Sequence, residues 1–317
     1  MTSDARSRAG LTRREWSGLV AGGLVVAPLA RLGATQKPDS RVAGVRIGAQ
    51  TYSFRGMSLA DTATAMASIG LSYCELWQGQ VETQDVTGGP RPPETASRAE
   101  RQAAQREGLR AWRLSVPLDH FRQIRRLFDE AGVTLTAYNL SFQNDFTDAE
   151  IDRGFAMARA LGVDVITASS RVSTAARLDP FAITHGITVA FHNHSRIADD
   201  EFARPEDFAR ALEGRSNRMA VNLDIGHFNG AGFDALAYLD AHHDRIVSLP
   251  LKDKVREGDR NVPWGEGDTP IGPVLQRLRD RGWDIPAQIE YEYRGQDPVT
   301  EVRRCYEYCR TALGRES

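Results

Sequence analysis

Cysteine is scarce in this sequence: three of 317 residues, Cys74, Cys305 and Cys309. Cys305 and Cys309 stand four apart in a stretch that reads as helix, a poor geometry for a disulfide. Neither a disulfide framework nor a cysteine-based zinc motif can be built from them. A glycine-rich phosphate loop after the first apolar run is also missing, which argues against a doubly wound dinucleotide fold. There is no low-complexity tract, no linker-like break in composition and no repeat longer than a β/α unit. The apolar run Ser17 to Leu29, at about 13 residues, falls short of the ~20 that a membrane span needs. Basic charge is thin beyond the N-terminus. The whole chain carries −2, and residues 1–34 hold five arginines against Asp4 and Glu15, which leaves −5 for the remainder. An acidic body without a basic block argues against a nucleic-acid partner.

What is present begins with Thr12-Arg13-Arg14-Glu15-Trp16, a twin-arginine pattern, followed by that short Gly/Ala/Val-rich run. Such a segment reads as a signal peptide of the twin-arginine type over residues 1–34. The expectation is export to the periplasm as a folded protein, with no membrane attachment once the signal is removed. No clean A-x-A cleavage site follows it. The plainer alternative is a frayed N-terminal helix.

From residue 40 to 317 apolar runs alternate with amphipathic segments. Strands are expected in Gly44–Phe54 with its exit loop, then at Leu71–Trp77, Val133–Tyr138, Val163–Ala168, Ile187–Phe191, Met219–Asp224, Ile246–Leu251 and Ala287–Tyr291. Helices are expected between them, among them Ser58–Ile69, Glu94–Glu107, Pro117–Ala131, Asp148–Leu161, Phe233–His243, Ile271–Arg281 and Val299–Leu313. Eight strands alternating with helices predict an α/β chain folded as one (β/α)8 barrel.

In such a barrel the chemistry sits at the C-terminal ends of the strands. Polar residues collect there: Glu75 and Trp77, Asn139, His192 and His194, Asp224 and His227, Lys252 and Asp253, Glu290 and Glu292. Strand alternation places His192 with His194, Pro250 with Lys252, and Gln288 with Glu290 and Glu292 on shared faces. Unpaired buried charge is expensive, so six strands carrying such residues at one end predict a converging site. Plainer readings stand beside it: Asp224 capping the next turn, His227 packed under a loop, Lys252 paired with Asp253, Trp77 in the core, and Trp264-Gly265-Glu266-Gly267 as a simple turn. Imidazoles and carboxylates without a thiolate suit Mn²⁺, Mg²⁺, Co²⁺ or Zn²⁺. Such an ion could act as a Lewis acid on a hydroxy-carbonyl sugar and stabilise an enediolate. The expected metal ligands are His194, Asp224 and Glu290. The expected catalytic residues are Glu290, Glu292, His227, Lys252 and His192. Glu75, Trp77, Asn139, Trp264 and Glu266 are expected to line a sugar pocket.

The ordered motifs IGAQTYSFR, CELW, VAFHNHS, VNLDIGHFNGAG, LKD, WGEGDTPIG and IEYEYRG resemble the xylose isomerase-like TIM-barrel superfamily, the sugar phosphate isomerases/epimerases. The similarity runs from about Arg46 to Cys309. It implies a divalent ion held by Glu from strand four, Asp from strand six, His from strand seven and Glu from strand eight. Asp224 and Glu290 match two of these. Strand four ends in Ala168-Ser169-Ser170 without a Glu, and Pro250 stands where relatives often carry His. His192 or His194 would have to compensate. Three functions follow as expectations: a metal-dependent isomerase or epimerase of a free or keto sugar; a lyase or dehydratase on a keto-sugar or cyclitol; or an exported sugar-binding protein with a degraded site. The partner in each is a small sugar, and self-association is left open.

Overall fold

A computed structural model describes residues 37–83, 87, 95–256 and 259–314. The twin-arginine segment lies outside the described residues. Eight strands form the barrel: β1 (Val45–Gln50), β2 (Tyr73–Trp77), β3 (Thr134–Asn139), β4 (Val165–Ala168), β5 (Thr188–His192), β6 (Met219–Asn222), β7 (Ile246–Leu251) and β8 (Ala287–Ile289). Each pairs in parallel with its sequence neighbour, and β8 pairs with β1, so the sheet closes on itself and leaves no edge. The (β/α)8 barrel expected from the alternation is what the chain forms.

Local chemistry sets the helix boundaries. Ser58 accepts from the amide of Asp61 and starts helix Leu59–Ile69, which Gly70 ends in the left-handed conformation. Ser97 and Glu100 form a capping box, so a later helix runs Arg98–Ser115 rather than over 94–107. Thr147 and Glu150 form a second box at the start of helix Asp148–Leu161. Four strands are shorter than their apolar runs: β2 and β4 start two residues late, and β6 and β8 stop two residues early. The run from Met219 yields a strand only to Asn222, because Asp224 turns to cap the six-residue helix Ile225–Gly230. The last strand stops at Ile289, before Glu290.

The large apolar side chains, including Phe121, Phe128, Phe155, Phe191, Phe208 and Phe228, are buried in the hydrophobic core. The barrel interior is polar instead. Glu75 is fully buried and takes hydrogen bonds from Gln50 Nε2 (2.6 Å) and Thr167 Oγ1 (2.7 Å), while Gln288 Nε2 donates to Thr136 Oγ1 (2.9 Å). Ser248 Oγ lies 3.4 Å from Glu75 Oε2, which fixes Ser248, and by alternation Pro250, on the inward face of β7, with Lys252 next in that register just past the strand's end.

Candidate active site

The C-terminal ends of β6, β7 and β8 deliver a charged cluster. Asn193 clamps the backbone of Asp224 from both sides: its Oδ1 accepts from Asp224 N (2.9 Å) and its Nδ2 donates to Asp224 O (3.1 Å). With the backbone held, the carboxylate divides its work. Oδ1 accepts from His227 N at 2.7 Å as the helix cap, and Oδ2 turns to Lys252 Nζ at 3.0 Å. Asp224 therefore caps the helix with one oxygen and keeps the other in the charged cluster. Lys252 Nζ also lies 2.6 Å from Glu290 Oε2 and 3.1 Å from Glu292 Oε1. Lys252 does not pair with Asp253. Asp253 instead accepts the backbone amides of Gly265 (2.8 Å), Gly267 (3.1 Å) and Thr269 (3.2 Å), and so folds the long polar loop back on itself. The Lys252 stem passes so close to helix Ile225–Gly230 that a Cβ on Gly226 would fall 2.4 Å from its Cγ. Glycine is required there for close approach, not for an unusual backbone angle.

Three imidazoles stand beside this cluster, with ring centroids 5.0 Å apart for His192 and His194, 5.3 Å for His194 and His227, and 6.0 Å for His192 and His227. His192 Nε2 is 3.8 Å from Asp224 Oδ2. His227 Nδ1 meets Ser195 Oγ at 2.7 Å, and Lys254 Nζ lies 3.1 Å from that hydroxyl and 3.3 Å from the ring nitrogen. Asp259 balances Lys254 at 2.6 Å, and Asn261 Nδ2 donates to Glu292 Oε2 at 3.0 Å. Sequence reasoning missed Ser195, Lys254, Asp259 and Asn261. Lys254 was within reach of it, standing two residues beyond Lys252. Ser195 and Asp259 come in on loops, and Asn261 on a strand of two residues, too short for a periodicity to show.

Burial and charge sort the protonation states. Burial, with the like charges of Asp224 and Glu292, pushes Glu290 up to about 8 despite Lys252. Burial would raise Glu292 too, but the Lys252 charge and hydrogen bonds from Lys252 and Asn261 bring it below the usual range. Burial raises Asp224 against the pull of Lys252. Burial also opposes the charged form of Lys252, but Asp224, Glu290 and Glu292 outweigh it and hold its ammonium well above the ordinary value. Burial and the Lys252 charge lower His194 and His227, and burial with His194 and Lys252 lowers His192, so all three rings favour the neutral form. Two adjacent carboxyl groups held in different protonation states are the arrangement that an acid/base pair would need.

His192, Asp224 and Glu290 offer donor atoms within 4.8 Å of one another, the spacing of a metal site, and His192, His194 and His227 do the same. His192, rather than His194, joins the two carboxylates in the first group. A divalent ion does not fit the first group while Lys252 stands where it does. Carboxylate ligands bind such ions at about 2.0–2.2 Å, and the facing oxygens of Asp224 and Glu290 already hold an ammonium at 3.0 and 2.6 Å. Ser169 and Pro250 add no carboxylate or imidazole. Glu290 Oε1 is buried with no hydrogen-bond partner among the described residues, and Asp224 Oδ2 has the ion pair but no well-directed hydrogen bond.

The remaining expected residues are spread out. Glu75 lies inside the barrel, with its carboxyl raised by burial despite hydrogen bonds from Thr167, Gln50 and Ser248. Trp77 packs edge-on to Tyr52 with centroids 4.9 Å apart. Asn139 Nδ2 donates to Thr167 Oγ1 at 3.2 Å. Trp264 packs edge-on to Tyr308, and with Glu266 it lines a cleft of about 420 Å³ shared with Arg294 and Arg304. Lys252, Asp224, Glu290 and Glu292 do not line that cleft.

The sugar phosphate isomerase/epimerase from Parabacteroides distasonis superimposes with a TM-score of 0.58 at 15% identity, covering 87% of this chain and 97% of that one. The 3-keto-D-glucoside 4-epimerase from E. coli gives 0.62 at 14% identity, with 84% and 99% covered. The probable 3-DHS dehydratase of petrobactin synthesis from Bacillus anthracis gives 0.57 at 14%, with 83% and 98% covered. At these identities the likeness is one of fold. A comparison with curated proteins found no match. The sequence model of the xylose isomerase-like TIM barrel matches residues 63–311, and the chain belongs to that family.

Proposed function

We propose that the protein isomerises or epimerises a free or keto sugar through an enediolate. One observation carries this reading: a buried ammonium, Lys252, shared by Asp224, Glu290 and Glu292 at the barrel mouth. Moving a proton on the carbon beside a carbonyl needs a base, an acid and a positive pole for the oxygen that gains charge. Glu292, the more ionised and more open of the two glutamates, takes the proton from carbon. The electron pair moves to the carbonyl oxygen, where Lys252 stabilises it. Glu290 holds a proton that it can give to that oxygen. A second proton delivered to the same carbon on its other face, while Glu292 gives up its own to solvent, gives an epimer, and return of the Glu292 proton to the neighbouring carbon gives an isomer. The unpartnered acceptor Glu290 Oε1 suits a hydroxyl group of a sugar. The names of two fold relatives, a sugar phosphate isomerase/epimerase and a 3-keto-D-glucoside 4-epimerase, support the substrate class.

Elimination of water from a keto-sugar or cyclitol is the second reading. It uses the same first step, and the protonated Glu290 would serve the leaving hydroxyl. The dehydratase among the fold relatives favours it. A panel of ketoses and 3-keto sugars incubated in D₂O separates the outcomes. An isomerase or epimerase conserves the carbon skeleton and oxygen content while taking up deuterium, whereas a dehydratase loses water. Binding detected by thermal shift, with neither product nor deuterium exchange, would overturn both readings and leave a sugar binder.

A further inference from the structure

We infer that Lys252 is a tethered cation standing where a divalent ion would sit, so that the chain has exchanged a metal for an ammonium of its own, carried just past the end of the seventh strand. The inference rests on reading the cluster at the barrel mouth as the active site. Four observations carry it.

First, His192, Asp224 and Glu290 keep the mutual spacing of an ion site, and Nζ of Lys252 lies against both carboxylates of that group and against Glu292 as well. An ammonium has three donors, and here it meets three carboxylates. Second, the side chains that would complete an ion's shell are absent. Position 169 is serine, and position 250, on the inward face of β7 two residues before Lys252, is a proline with no donor atom. Third, the seat is built. Lys252 is 2% exposed, and Gly226 leaves the space through which its stem runs. Fourth, the facing oxygens of Asp224 and Glu290 already hold a cation. A divalent ion added beside the ammonium would share the same carboxylate oxygens with a like charge, and no further carboxylate from β4 offsets it.

The two cations do the same electrostatic work differently. A bound ion can be removed by a chelator and can grip two substrate oxygens at once. The ammonium cannot be removed, carries one charge, and acts by donating hydrogen bonds. The chemistry at this barrel mouth should therefore proceed in a chelator.

The test is metal binding, read without any substrate. The wild-type protein is stripped with EDTA and titrated with Mn²⁺ and Zn²⁺ by calorimetry, with melting temperatures followed in parallel. The expected result is no stoichiometric ion at the cluster and a melting temperature indifferent to EDTA. Lys252→Met keeps a stem of similar volume and deletes the ammonium. It should bind one ion per chain at least about tenfold more tightly than wild type, with a melting temperature raised by the ion. Lys252→Met/Glu292→Gln relieves one uncompensated charge and serves where the single variant does not fold. One tight ion in the wild type, lost in Asp224→Asn, would overturn the inference, and so would equal affinity in the wild type and the folded Lys252 variant. Ions held in the wild type but lost in a His194→Ala variant belong to the three imidazoles and leave the assignment of Lys252 standing. A wild type that holds no ion and turns over no sugar would sink the proposed function and leave Lys252 as the resident cation. A metal-loaded wild type that isomerises sugars would do the reverse.

Discussion

Lys252 Nζ lies 2.6 Å from Glu290 Oε2, the shortest of its three carboxylate contacts, and yet Glu290 is the glutamate whose proton is held to about 8. Glu290 is 3% exposed, while the Glu292 side chain keeps 22% of its surface and a hydrogen bond from Asn261. Solvent and Asn261 stabilise the charge on Glu292. Glu290 has only the ammonium, and burial outweighs it.

A pH profile follows from that difference. Glu292 must be ionised to accept a proton, and its value lies below the usual carboxylate range, so the acidic limb of kcat should fall at low pH. Glu290 must be protonated to donate, and it loses its proton as pH rises through about 8, so the rate should decline above that point. Glu290→Gln should abolish the alkaline limb and Glu292→Gln the acidic one, each lowering kcat by roughly 10²–10⁴-fold. A profile flat from pH 6 to about 9 in the wild type would remove Glu290 from the acid role.

Away from the site, Glu150 is a carboxylate whose ionisation should contribute to acid stability. Its side chain is fully buried, and burial alone would raise it. Hydrogen bonds from Arg106, from the amide of Thr147 and from Arg110 hold it at about 2 instead. A depressed folded value means that the stabilisation is complete above the unfolded value, near 4.5, and is lost as pH falls from there towards 2. Glu150→Gln should cost up to about 3 kcal/mol at neutral pH and flatten the acid slope of stability below pH 4.5. Urea denaturation at pH 7 and pH 3 reads both effects, and an unchanged slope in the variant would assign acid unfolding to other carboxylates.

Much of the barrel was legible because alternation has a period of two and does not depend on what packs above the sheet. The strand Ile246–Leu251 has the limits its apolar run predicts, and Ser248 against Glu75 puts Pro250 and Lys252 inward as alternation requires. Strand ends were less legible, since Asp224 reads equally as a last strand residue and as a helix cap. The start of helix Arg98–Ser115 was carried by the Ser97/Glu100 box, a signal that apolar periodicity overlooks. The partner of Lys252 was hidden for a different reason. Asp253 is next to it in sequence and its three carboxylates lie on two other segments, so only the closed sheet reveals which acid it meets.

The N-terminal segment carries a separate expectation. If Arg13-Arg14 directs export by the twin-arginine route, replacing both with lysine should leave the full-length precursor in the cytoplasm with its fold intact. Fractionation of a bacterial host followed by immunoblotting measures this. Equal periplasmic amounts of the two proteins would sink the expectation.

Pro250 and Lys252 together allow the sharpest distinction between two accounts of the same site. If position 250 is merely a lost ligand, Pro250→His alone should restore tight Mn²⁺ or Co²⁺ binding, because it supplies an imidazole and also a backbone amide that a central strand would use. If Lys252 holds the place of the ion, the new imidazole meets a cluster that already contains its cation, and Pro250→His alone should change affinity little. The double variant Pro250→His/Lys252→Met should then bind far more tightly than the two single effects combined. The two side chains share one site, so their effects should fail to add, and an interaction energy of about 1–3 kcal/mol is the scale for residues in contact. Calorimetric titration of the four proteins closes the cycle. Additive effects would place position 250 outside the ion's reach, and a tight ion in Pro250→His with Lys252 intact would return the site to a degraded metal centre.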